Sequence, residues 1–158
     1  MNFRDLMKSK EYIYLDYLVE PEENSLRIRI EKCNGVNEKE ELINSNDLGL
    51  ETFSTIEINK NFPIIQLDFN SYVSYTVTNE SFTQMDEYEI SEGEMFRIYS
   101  KSRFLDFVKL STFAEVLFPD EPIIHYQVPC LNHIIDITSI EEPKITYINR
   151  TDITNSYY

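Results

Sequence analysis

The nine residues 125–133, HYQVPCLNH, hold both histidines of the chain and one of its two cysteines, with Asp136 three positions further on. The spacing H-x4-C-x2-H offers three side chains able to ligate a metal, yet lacks the paired short spacings of structural zinc sites. Nucleophilic chemistry would need Cys130 to reach an imidazole. Read as a hairpin turning about residues 129–132, IIHYQV and HIIDITS set Val128 opposite His133, Tyr126 opposite Ile135, Ile124 opposite Ile137 and His125 opposite Asp136. One face then collects Ile124, Tyr126, Val128, Ile135 and Ile137. The other collects His125, Gln127, Asp136 and Thr138, with Ile134 as the exception. A slip of one residue would mix the two sets and expose the apolar row.

On that register the histidines project from opposite faces, so they do not share an ion, and neither a metal nor a cofactor is expected. The Asp136 carboxylate lies where it would orient the His125 ring. Cys130 sits in the turn, four to five residues along from His125 at about 3.3 Å per residue, too far for a direct thiol–imidazole bond. No catalytic residue is therefore expected, and an enzyme built around His125, Asp136 and Cys130 is the alternative. The chain also lacks a phosphate-cradling glycine loop, a G-x-S-x-G elbow, H-E-x-x-H and a dinucleotide fingerprint.

The second chemically loaded run is MDEYEISEGEMF, residues 85–96. If extended, it places Glu87, Glu89 and Ser91 on one face and Asp86, Tyr88 and Ile90 on the other, with Gly93 turning the chain. Asp86, Glu87, Tyr88, Glu89, Glu92 and Glu94 are the candidate partner-binding residues, suited to an arginine-rich protein surface. They do not match a calcium loop. Such charges also protect an edge strand from aggregation, which would account for them without any partner.

Charge across the whole chain agrees with a basic partner. Its 158 residues carry 28 acids against 14 bases, a net charge of −14, and the stretch 51–100 alone holds nine acids against two bases. Such a surface repels phosphate backbones and anionic headgroups, so direct binding to nucleic acid or to a membrane is not expected. The N-terminal MNFRDLMKSKEYIYLDYLVE has no uninterrupted apolar run and reads as neither a signal peptide nor an anchor. Cys33 and Cys130 read as free thiols in a reducing, cytoplasmic setting.

These residues must be positioned by a fold, and 42 % apolar residues in a chain of this length suffice for one domain. Phe3, Leu6 and Met7 fit a short helix. Strands are expected at 12–19, 25–33, 52–58, 64–69, 72–79, 95–100, 123–128, 133–139 and 144–149, with a turn at 21–25 and a polar loop at 34–47. SLRIRIEKC alternates cleanly, Leu26, Ile28 and Ile30 against Arg27, Arg29 and Glu31. One principal helix is expected at about 102–118, capped by Ser102, with Phe104, Phe107, Leu110, Ala114, Leu117 and Phe118 forming its core face. Thr112 and Glu115 fit a capping box, which leaves open a break into two helices. The fold class is α+β, a mainly antiparallel, strongly curved or barrel-like sheet packed on that helix.

Residues 95–148, in particular FRIYSKSRFLDFV followed by HYQVPCLNHIIDITSIEEPKI, resemble the C-terminal part of small bacterial proteins of the toxin-immunity type. The resemblance implies an inhibitor that binds a cognate toxin, often a basic nuclease, and blocks it; it supplies no functional residues. The expected function is an acidic protein-binding module of this type. A small enzyme and a non-catalytic assembly subunit stand as the alternatives.

Overall fold

The alternation of Leu26, Ile28 and Ile30 with Arg27, Arg29 and Glu31 builds a strand with one dry face and one wet one, and the rest of the fold repeats that device. The computed structural model describes residues 1–34, 56–84 and 87–153. The expected loop at 34–47, apart from Asn34, and most of the expected strand at 52–58 lie outside them; of the latter, Ile58 forms an isolated bridge with Cys33. The chain runs through α1 (Phe3–Leu6), β1 (Ile13–Val19), β2 (Leu26–Lys32), β3 (Ile64–Phe69), β4 (Ser74–Asn79), β5 (Ile90–Glu92) and β6 (Arg97–Lys101). Then come α2 (Arg103–Ser111), α3 (Ala114–Leu117), β7 (Ile124–Pro129), β8 (His133–Ser139), β9 (Lys144–Ile148) and α4 (Arg150–Ile153).

The class is α+β with antiparallel pairing throughout the described ladders. The strands form two sheets, β1-β2-β3-β9 and β4-β8-β7-β6-β5. Neither closes into a barrel among the described residues, so the barrel-like single sheet is corrected to two open ones. The inner faces meet in one core. Leu26, Ile28, Ile30, Ile65, Leu67 and Phe69 come from the first sheet, and Tyr126, Val128, Ile135 and Ile137 from the second. Phe3 of α1 plugs one side, its ring 4.9 Å from that of Tyr126 and 5.8 Å from that of Phe96. Each such side chain contributes about 1.5–3 kcal/mol when fully buried. The outer face of the first sheet is a polar ladder, with Arg27 Nε 2.6 Å from Asp68 Oδ1 and Arg29 Nε 2.8 Å from Gln66 Oε1.

At the end of β5 the chain reverses through Gly93, whose φ is +92°. A Cβ built there would lie 2.1 Å from the Phe96 carbonyl oxygen, so only glycine fits.

The helical segment differs most from expectation. Ser102 does cap α2, its side chain accepting from Leu105 N at 3.0 Å. The helix then ends at Thr112 and a one-turn α3 follows, so one principal helix becomes two short ones. The cause is local competition for backbone groups. The Ser111 hydroxyl donates to Phe107 O at 2.6 Å and the Thr112 hydroxyl to Val108 O at 2.8 Å, after which Thr112 turns extended. No capping box forms there: Phe113 is the N-cap of α3, without a side-chain bond, and Glu115 pairs with Lys109 at 2.9 Å. The inward face is also different. Of the expected core face Ala114 is buried and Phe104 packs against His125, but Phe107, Leu110, Leu117 and Phe118 are exposed, and Leu105 and Val108 are buried in their place.

Candidate functional site

Along β7, even positions enter the core, so His125 and Gln127 must face the other way, towards α2. The hairpin register places Gln127 opposite Asp136, His125 opposite Thr138, Tyr126 opposite Ile137 and Val128 opposite Ile135. This corrects the expected pairing by two residues. The ladder extends further towards the tip: Pro129 pairs with Ile134, and Cys130 N donates to His133 O at 2.8 Å, leaving only Leu131 and Asn132 to turn. A two-residue offset preserves side-chain parity. The face compositions therefore stand as expected, and His125 and His133 fall on opposite faces.

His125 meets Asp136 diagonally, Nε2 to Oδ1 at 2.9 Å, while Nδ1 lies 2.7 Å from Ser102 Oγ. A carboxylate only accepts, so Nε2 carries the proton; in the neutral ring Nδ1 then accepts from the Ser102 hydroxyl. The network continues: Gln127 Nε2 donates to Asp136 Oδ1 at 2.8 Å, and Gln127 Oε1 accepts from Tyr99 OH at 3.0 Å and Arg97 Nη1 at 3.2 Å. Tyr99 stacks on the imidazole at 4.5 Å and Phe104 meets it edge-on at 5.3 Å.

Serine, histidine and aspartate in hydrogen-bonded series are the parts of an acyl-transfer triad. Access decides what they do here. Ser102 is 0 % and His125 2 % exposed, and the Ser102 oxygen is already committed to Leu105 N and to the imidazole. No acyl group reaches that oxygen. What the network does is fix the N-terminus and the roll of α2 on the outer face of the second sheet. Sequence reasoning named Ser102 as a cap but had no signal for its contact with His125, which lies 23 residues away.

Cys130 is not part of this network. It lies in the inner core, 1 % exposed, and burial pushes its thiol up to about 12. Cys33 is likewise buried and reduced, with burial again raising its thiol. No group of three or more metal-ligating side chains gathers among the described residues.

The acidic segment occupies the outer edge of the second sheet. Asp86 lies outside the described residues. Glu87 and Tyr88 form a turn, and β5 is exposed along its whole length, including Glu92. Among the segment's described carboxylates, one is paired with a cation of the chain itself. Glu92 pairs with Arg4 at 3.0 Å; Glu89 accepts instead from the backbone amide of Arg103 at 3.3 Å, and Arg97 Nε donates to the backbone carbonyl of Glu94 at 3.0 Å, leaving the Glu94 carboxylate outside that bond. Tyr88 is clamped, with Lys101 Nζ 4.0 Å and the Arg103 guanidinium 4.8 Å from its ring centroid, and its hydroxyl bonded to Asp106 of α2. That bond raises the Tyr88 phenol above its ordinary value. Glu87, Glu89 and Glu94 carry no side-chain ion pair among the described residues.

No helix among the described residues is long and apolar enough to cross a membrane. No protein-family model, no curated protein and no solved structure matches this chain.

Proposed function

We propose that the protein is an acidic protein-binding module, an immunity-type inhibitor that neutralises a basic partner, such as a toxin, in the cytoplasm. The observation that carries this reading is the exposed rim at β5, where Glu87 and Glu94 stand in solvent beside the Arg4-paired Glu92, on a short edge held in place by its pairing with β6 and by the Tyr88 clamp. The net charge of −14 supports it, since electrostatic steering raises encounter with a cationic surface by about 10- to 10³-fold at low salt. The arrangement of Ser102, His125 and Asp136 favours a hydrolase reading by its order of bonds, and the complete burial of Ser102 speaks against it.

The test is co-purification with the product of a neighbouring reading frame, followed over roughly 0.05 to 0.5 M salt. A basic protein should be retained, less so as salt rises and less so by a Glu87→Lys/Glu89→Lys/Glu94→Lys variant. Retention indifferent to both salt and charge reversal would refute the reading.

A further inference from the structure

The second surface feature lies on α2 and α3. Phe107, Leu110, Phe113, Val116 and Leu117 are each between 61 and 88 % exposed. Scattered apolar side chains on a surface need no explanation, but five large ones exposed within eleven residues of two successive helices are concentrated as at a contact site. The patch is not a loose end. Its reverse side is packed through Leu105, Ala114 and Ile123, and the start of α2 is bolted to β7 through Ser102 and His125. The apolar side chains are thus held out on a rigid support, which lowers the ordering cost of binding.

Charge around the patch indicates what covers it. Glu115, Asp120 and Glu121 are exposed at its α3 end, and Lys109 is paired with Glu115. At its α2 end Asp106 bonds Tyr88, which joins the patch to the β5 rim; Lys101 and Arg103 lie on that ring, so the acidic character of the border comes from the α3 end and from the rim beyond Tyr88. A second copy of the chain would carry the same net charge of −14, so self-association through the patch is opposed by charge.

We infer that the α2–α3 face is the apolar anchor of the partner-binding surface, and that it receives an amphipathic protein segment whose apolar side chains are flanked by lysines and arginines. This inference rests on the acidic-module reading and adds to it the part of the surface that supplies specificity, because carboxylates alone steer while desolvated apolar contacts hold.

Two labelled peptides of roughly 18 residues provide the probe, one with leucines at helical spacing among lysines and one a scrambled isomer of identical charge. The patterned peptide should bind at least about tenfold more tightly than the scrambled one. A Leu110→Ser/Phe113→Ser variant should erase that preference while leaving the salt-dependent binding of both peptides. Equal binding of the two peptides to the unaltered protein would overturn the anchor and leave the acidic module standing. Failure of both to bind at low salt would overturn the module itself. Concentration-dependent dimerisation abolished by Leu110→Ser/Phe113→Ser would assign the face to a second copy and likewise refute the inference.

Discussion

Ser102 Oγ sits 2.7 Å from His125 Nδ1, joining the N-cap of a helix to a central strand through two almost fully buried side chains. The hydroxyl serves two partners, the imidazole and the Leu105 amide. Ser102→Ala removes the cap, worth about 0.5–2 kcal/mol, and strands the buried ring nitrogen, which costs a further ~1–3 kcal/mol. Urea unfolding should show a combined loss of roughly 1.5–5 kcal/mol. A loss below about half a kilocalorie would mean that the network does not hold α2.

The two apolar sides of α2 should respond unequally to truncation. Leu105→Ala opens space beneath the helix and should cost about 2–5 kcal/mol. Leu110→Ala removes a side chain that is 88 % exposed and should change stability by no more than about 0.5 kcal/mol. Reversed magnitudes would restore the helix face expected from the sequence.

Tyr126 carries its hydroxyl into the core, between Phe3 and Phe69, with no hydrogen-bond partner among the described residues. Tyr126→Phe keeps the ring contacts and removes an unsatisfied polar atom. It should leave stability unchanged or raise it by about 1–3 kcal/mol, measured by thermal unfolding at neutral pH. A clear loss of stability would require a bonded partner for that oxygen.

Burial moves the Cys130 thiol from 9.0 up to about 12, with the Cys33 thiol a smaller contributor. In the unfolded chain the proton leaves first, so the stabilisation is fully present below about pH 9 and is lost as pH rises through about 12. Replacing Cys130 by alanine should flatten that alkaline decline relative to the unaltered protein. In the native state Cys130 should also stay unmodified by a thiol reagent at pH 8 for as long as the protein remains folded. Rapid labelling without unfolding would contradict its burial.

Strand positions were legible wherever alternation was strict, as in Leu26 to Glu31 or in the pair IIHYQV and HIIDITS, because side-chain period alone fixes which residues share a face. The same parity kept the two histidines apart even though the register moved by two. The helix was another matter. SRFLDFVKLSTFAEVLF has apolar residues on both sides of the wheel, and the sequence contains nothing to say which side the sheet takes. That choice falls to a contact between Ser102 and His125, and the break at Thr112 to two hydroxyls that turn back onto their own carbonyls. Likewise, counting charges between 86 and 94 located the acidic rim but could not foresee that Arg4, from the far end of the chain, would reach Glu92.

The tip of the β7–β8 hairpin is stitched to the first sheet. Asn132 accepts from Leu15 N at 2.9 Å and donates to Leu15 O at 3.1 Å, and Leu131 N donates to Ile13 O at 2.9 Å. A side-chain amide thus imitates a neighbouring strand at an otherwise open border, and the two halves of the protein cannot breathe independently at that corner. Deuterium uptake at the Leu15 and Leu131 amides should consequently proceed in step, as one cooperative opening.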